Sequence, residues 1–197
     1  MSNGGYINTI KTGMEKKATY QELNKRRNIS EKNCNYVEMI SYDYAMIEDR
    51  LLSILKHLNV VKINNNNEVI INKDIKNEFY DIYYNNPDKS HKDPQIYNLS
   101  TKIKIIKIFL KYNDNNNIIL NISNILKSSN DEVDIETCLK KIEKWSIKRN
   151  EVVHGMYNKN IEDFDLKIKD IAIDGKKISY DLSKMCDIVK KKIKDNK

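Results

Sequence analysis

Seven residues, Val37, Ile40, Tyr44, Ile47, Leu51, Ile54 and Leu58, recur at alternating spacings of three and four. Only a helix brings residues so spaced onto one side of the backbone. The stripe therefore predicts a long helix packed along a seam. The same spacing also suits a short coiled coil, which makes this helix a candidate dimer element, although packing inside a bundle is the commoner use of such a stripe. The rest of the chain points the same way. It has 5 Gly and 2 Pro in 197 residues, too few for the many turns of an all-β fold. An all-α bundle is the expected class, in one domain with a core of its own.

Residues 1–13 read as a flexible N-terminal arm and residues 14–197 as a single helical domain. Met14 to Ile29 is charged, with weak helical periodicity. Two short apolar runs, Val60 to Ile63 and Val69 to Ile71, flank four asparagines and form a loop or a small hairpin. Lys73 to Tyr84 reads as a helix and Asn85 to Asn98 as a long loop holding both prolines, while Leu99 to Tyr112, whose apolar residues partly fit both the helical and the strand period, reads as a helix on its length and its lack of flanking turn residues. Ile118 to Leu126 is a short helix. Ser128-Ser129-Asn130-Asp131 reads as the start of the next, which runs to about Tyr157. Asp174-Gly175, between Ile171 to Ile173 and Lys176 to Ser179, predicts a small C-terminal β-hairpin. A last helix follows from about Tyr180.

Net charge is +7. A basic surface attracts nucleic acid, yet a lysine-rich soluble protein needs no such partner. Cys34, Cys138 and Cys186 are far apart, form no CxxC, and read as reduced packing residues of a cytoplasmic protein. No apolar run is long enough for a membrane span, so no membrane partner is expected. His57, His91 and His154 are dispersed and no HExxH or Cys/His cluster exists, which leaves no expected metal. No phosphate-binding glycine loop is present, and no cofactor is expected.

The helix expected before Tyr157 carries the chemistry. Ile135, Leu139 and Ile142 mark its buried stripe, which continues through Ser146, Arg149 and Val153. Arg149 thus occupies a place where the pattern asks for an apolar side chain. A cation there is costly unless it is paired or an anion joins it. Asn150, His154 and Tyr157 follow at successive turns and share a polar face. Arginine grips phosphate with two donors, and histidine exchanges protons near neutral pH. His154 before Gly155 also fits an ordinary helix end. Glu48, Asp49 and Arg50, beside the seam, read as a solvated patch. Tyr42, Tyr44, Tyr80, Tyr83 and Tyr84 are candidate base-stacking residues or core-edge packers.

Arg149-Asn150, three further residues and His154 resemble the motif of the HEPN superfamily. Its nucleases carry an Arg, four to six residues and a His, often with Asn directly after the Arg. The resemblance in layout runs from about Tyr36 to the end of the chain, and the motif itself covers six residues. It implies a HEPN-like bundle and a metal-independent endoribonuclease in which the ribose 2′-hydroxyl attacks the adjacent phosphorus and leaves a cyclic phosphate. His154 would be the general acid and base, Arg149 the phosphate-binding residue and Asn150 a positioning residue. The resemblance also implies a minority alternative to the solvated patch, a Glu48 or Asp49 carboxylate that pairs with Arg149 or orients His154. Tyr157 and Lys148 are candidate substrate-binding residues. RNA as substrate, a homodimer, a toxin or antiviral-defence role and an antitoxin or defence-system partner are further implications. Some family toxins carry a modified Tyr two residues after the His. Here that place is Met156, with Tyr157 one later. Because Arg149 and His154 point about 140° apart on a straight helix, the expected site is composite and lies near a two-fold axis, with Trp145 and Val152 as the apolar residues that hold the dimer. The alternative is a catalytically inactive HEPN-like module that binds RNA or protein.

Overall fold

The computed structural model describes residues 13–66, 68–84, 94, 96–113, 117–155 and 161–196. The seam becomes helix α2, Tyr36–His57, preceded by α1, Gly13–Lys32. Asn35 starts α2 by accepting the Glu38 amide proton on its side chain, at 3.3 Å. Asn59, in the left-handed region at φ 58, turns the chain out of it. Two strands follow, β1, Val61–Ile63, and β2, Val69–Ile71. They pair antiparallel with Val61 opposite Ile71. A short 3₁₀ turn, Lys73–Ile75, leads into α3, Lys76–Tyr84. Then come α4, Leu99–Lys111, α5, Asn117–Asn130, α6, Ile135–Gly155, and α7, Ile161–Asp195.

The expected all-α class thus holds for the described residues, apart from this two-stranded sheet. The core is built around α2. Ile40, Ile47, Leu51, Ile54 and Leu58 of the seam are buried, and so are Met39, Met46 and Leu55 beside them. That face is wider than a coiled-coil seam, because α1, α4, α7 and β1 of the same chain pack around it. The seam is therefore used inside the chain. Val37 and Tyr44 lie at its edge, half-buried. Asp43 is fully buried on the same helix and pairs with Arg27 of α1 at 2.8 Å. Burial pushes the Asp43 carboxyl up to about 6 against the pull of Arg27.

The C-terminal hairpin expected at Asp174-Gly175 is replaced by the interior of α7. Ile168, Ile171, Ala172, Ile178, Leu182, Met185 and Val189 are buried at helical spacing straight through it. Gly175 serves a close approach instead of a turn. A Cβ there would stand 2.9 Å from Cζ2 of Trp145. The Trp145 indole N–H donates to the Ile171 carbonyl at 2.8 Å and so fixes the ring over that glycine. Ser128, Ser129 and Asn130, read as a helix start, instead close α5. Ser129 is buried and its hydroxyl donates to the Ile125 carbonyl at 2.7 Å. The start of α6 is set by Asp134, which accepts from the Thr137 amide at 2.8 Å. Cys138 and Cys186 are buried in helices, whereas Cys34 is exposed in the α1–α2 turn at φ 56. Among the described residues no helix is long and apolar enough to cross a membrane. The expected N-terminal arm lies outside the described residues up to residue 12, as does most of the expected loop from Asn85 to Asn98.

Candidate active site

Helix α6 buries Ile135, Cys138, Leu139, Ile142, Trp145 and Val152. Trp145 and Val152 are seven apart, and Arg149 lies between them on the same stripe, at the half-buried edge. The expected intrusion of a cation into an apolar face is therefore real. Arg149 lays its guanidinium over the Tyr44 ring of α2, 4.5 Å from the centroid. Its Nη1 donates to Oδ1 of Asn150 at 2.9 Å, and its buried Nε has no hydrogen-bond partner. Among the described residues no carboxylate pairs with it. The chain has four arginines, and the other three are engaged differently. Arg26 and Arg27 meet Glu22 and Asp43, and Arg50 donates to the backbone carbonyl and hydroxyl of Ser179. Arg50 also lies over a tyrosine ring, that of Tyr20, and Arg27 also has a buried Nε without a partner, but Arg149 differs from both in that an aromatic face and an amide hold it with no carboxylate or backbone carbonyl described against it.

The carboxylates that could have neutralised Arg149 are occupied elsewhere. Glu48, one turn from Tyr44 on α2, accepts from Nζ of Lys102 at 2.9 Å. Lys102 is only 2% exposed on α4 and also donates to the Tyr97 carbonyl at 3.0 Å. Burial lowers the Lys102 pKa, and the hydrogen bond and charge of Glu48 oppose that shift. The Tyr44 phenol is raised first by its own burial and then by Glu48, while Arg149 pulls it down. Glu48 and Arg149 thus both lie within electrostatic reach of Tyr44. Asp49 turns to α1, accepting from the Tyr20 hydroxyl at 2.7 Å and meeting Lys16 at 2.8 Å. The reading of Glu48, Asp49 and Arg50 as a solvated patch gives way to three tertiary ties. The Glu48 and Asp49 contacts just given do not include Arg149.

The remaining expected site residues are placed unevenly. Asn150 and Lys148 are exposed on α6. The backbone of His154 lies in the last turn of α6, one residue before Gly155. Its side chain, and Met156 and Tyr157 entirely, lie outside the described residues. Trp145 and Val152, expected to hold a dimer together, are buried at 2% and 3% within their own chain and have no surface to offer. The exposed apolar residue on that helix is Ile147, at 58%. Of the tyrosines considered for base stacking, Tyr80 and Tyr83 pack with Phe79, Tyr84 packs on Tyr80 and Tyr83, and Tyr42 donates to Glu38 at 2.6 Å. Lys102 was missed, because its place on a buried face shows only once Leu99–Lys111 is seen to be a helix. It follows Leu99 by three and precedes Ile106 by four, on a face otherwise apolar.

Chemically, Arg149 and Asn150 offer a charged planar donor preset by stacking and an amide beside it. This pair suits a single tetrahedral anion better than a metal ion. Among the described residues no three His, Cys, Asp or Glu side chains group to hold a metal. Comparison with protein-family profiles, with characterised proteins and with solved structures returned no match.

Proposed function

We propose that this chain is a HEPN-like, metal-independent endoribonuclease whose active site comprises Arg149, Asn150 and His154. One observation supports it above the rest. Arg149 is stacked and oriented on Tyr44, yet its Nε lacks a partner and its guanidinium lacks a described counter-ion. A guanidinium kept in that state is organised for an incoming phosphate. In the reaction the ribose 2′-oxygen bonds to phosphorus as the bond to the 5′-oxygen breaks. His154 takes the proton from the 2′-hydroxyl, and a histidinium returns one to the departing 5′-oxygen. Arg149 carries the charge that gathers on the phosphoryl oxygens, and Asn150 holds the guanidinium in place through its amide oxygen. Two copies of the motif supply both proton steps when a homodimer brings them to one cleft. A toxin or defence role, with an antitoxin-like partner, accompanies this reading.

The test is cleavage of single-stranded RNA by the purified full chain in excess EDTA. The products should end in 2′,3′-cyclic phosphate. Strict dependence on magnesium would remove the mechanism. Binding of RNA without any cleavage would favour the inactive binding module.

A further inference from the structure

We propose that Tyr97 is the nucleobase-stacking subsite of the Arg149 centre, an inference that rests on the ribonuclease reading. Tyr97 is 56% exposed, although most described tyrosines of the chain are packed or half-buried. Its backbone, by contrast, is tied down. Ile96 and Leu99 on either side are buried, and the Tyr97 carbonyl accepts from the buried Lys102 ammonium at 3.0 Å. A pinned backbone with an exposed ring is the arrangement of a stacking platform.

Its position follows from the crossings of three helices. The Lys102 ammonium that holds Tyr97 also holds Glu48, and Glu48 lies one turn along α2 from the ring that Arg149 covers. Further along α4, Lys107 meets Glu143 of α6 at 2.5 Å. Helix α4 therefore runs from Glu48, one turn from the ring under Arg149, to Glu143 on α6, and Tyr97 just precedes its first turn. Asn150 is seven residues after Glu143 and so lies on the same side of α6 as the residue that meets α4. A nucleotide whose phosphate sits on Arg149 and Asn150 would bring a neighbouring base to Tyr97. A base within a duplex has no free face to give, so the substrate class is unpaired RNA, read with little regard to base identity. Stacking uses the ring and not the hydroxyl.

The test uses a short single-stranded RNA carrying 2-aminopurine, in EDTA, with the full chain and its Tyr97→Ala and Tyr97→Phe variants. Tyr97 is exposed, so neither change threatens the fold. Wild type should quench the fluorophore. Tyr97→Ala should lose the quench, weaken binding roughly tenfold and raise KM while leaving kcat little changed. Tyr97→Phe should behave as wild type. If wild type cleaves and Tyr97→Ala matches it in quench and KM, the subsite is wrong while the ribonuclease reading stands. If a Tyr97-dependent quench occurs without cleavage, the subsite stands and the ribonuclease reading falls. Equal affinity for duplex and single-stranded RNA would overturn the subsite.

Discussion

Arg149 and Lys102 are the same anomaly at residue scale, a cation on an otherwise apolar helical face. Their surroundings resolve it in opposite ways. Lys102 receives a carboxylate and a carbonyl. Arg149 receives an aromatic face and a neighbouring amide, which leaves it able to take an anion. The two are linked through Glu48, because a carboxylate held by Lys102 is not free to neutralise Arg149. Lys102→Met should release Glu48, one turn from the ring that Arg149 covers. RNA affinity should then fall roughly tenfold as the freed carboxylate competes for the guanidinium. Stability should fall by about 2 kcal/mol, less than for a fully buried pair because the Glu48 side chain keeps 30% exposure. Adding Glu48→Gln should restore the affinity. Filter binding and urea unfolding read both quantities. Wild-type affinity in Lys102→Met alone would show that Glu48 plays no part in keeping Arg149 open.

At the scale of elements, helix α2 was legible because its apolar spacing is helical over a long stretch, and α4 because of its length and its lack of flanking turn residues. Helix α7 was hidden by one strong local signal. Asp174-Gly175 between isoleucines is a good hairpin turn in isolation, but the buried stripe from Ile168 to Val189 passes through it. The glycine holds an apolar place in that stripe because the Trp145 ring fills the space a side chain would need. That is a tertiary reason, and nothing near Gly175 in the sequence encodes it. The site divides in the same way. Arg149 was visible as an intruder on an evident helical face. Lys102 was not, because Leu99 to Tyr112 partly fits both periods and its buried side could not be assigned from spacing. The Glu48–Lys102 pair joins residues 54 apart in the chain. Gly175→Ala checks the packing account. The added methyl meets a ring anchored by its own hydrogen bond, and overpacking of this kind costs roughly 1–3 kcal/mol. The helical gain from Gly to Ala, at most about 1 kcal/mol, offsets only part of that range. Urea unfolding should show a net loss of up to about 2 kcal/mol. A stabilised variant would mean that the α6–α7 contact yields easily.

For the whole molecule, the question is how a single helix delivers two groups that point about 140° apart. Under the proposed ribonuclease reading, a homodimer would answer it by pairing Arg149 of one protomer with His154 of the other. Trp145 and Val152 are committed to the core, so the apolar contact falls to Ile147. It precedes Asn150 by three and His154 by seven, on the same face of α6. Sedimentation should show a dimer, and Ile147→Asp should shift it toward monomer and reduce cleavage in parallel. A fully active monomer would refute the composite site. The central claim is the division of labour between Arg149 and His154, and one measurement tests it most directly. RNA binding and single-turnover cleavage would be followed side by side, in EDTA, for wild type, His154→Ala and Arg149→Ala. His154→Ala should bind RNA almost as wild type does yet lose cleavage by at least about a hundredfold. Arg149→Ala should lose both, since the phosphate contact serves ground state and transition state alike. Cleavage by His154→Ala at the wild-type rate would contradict the account.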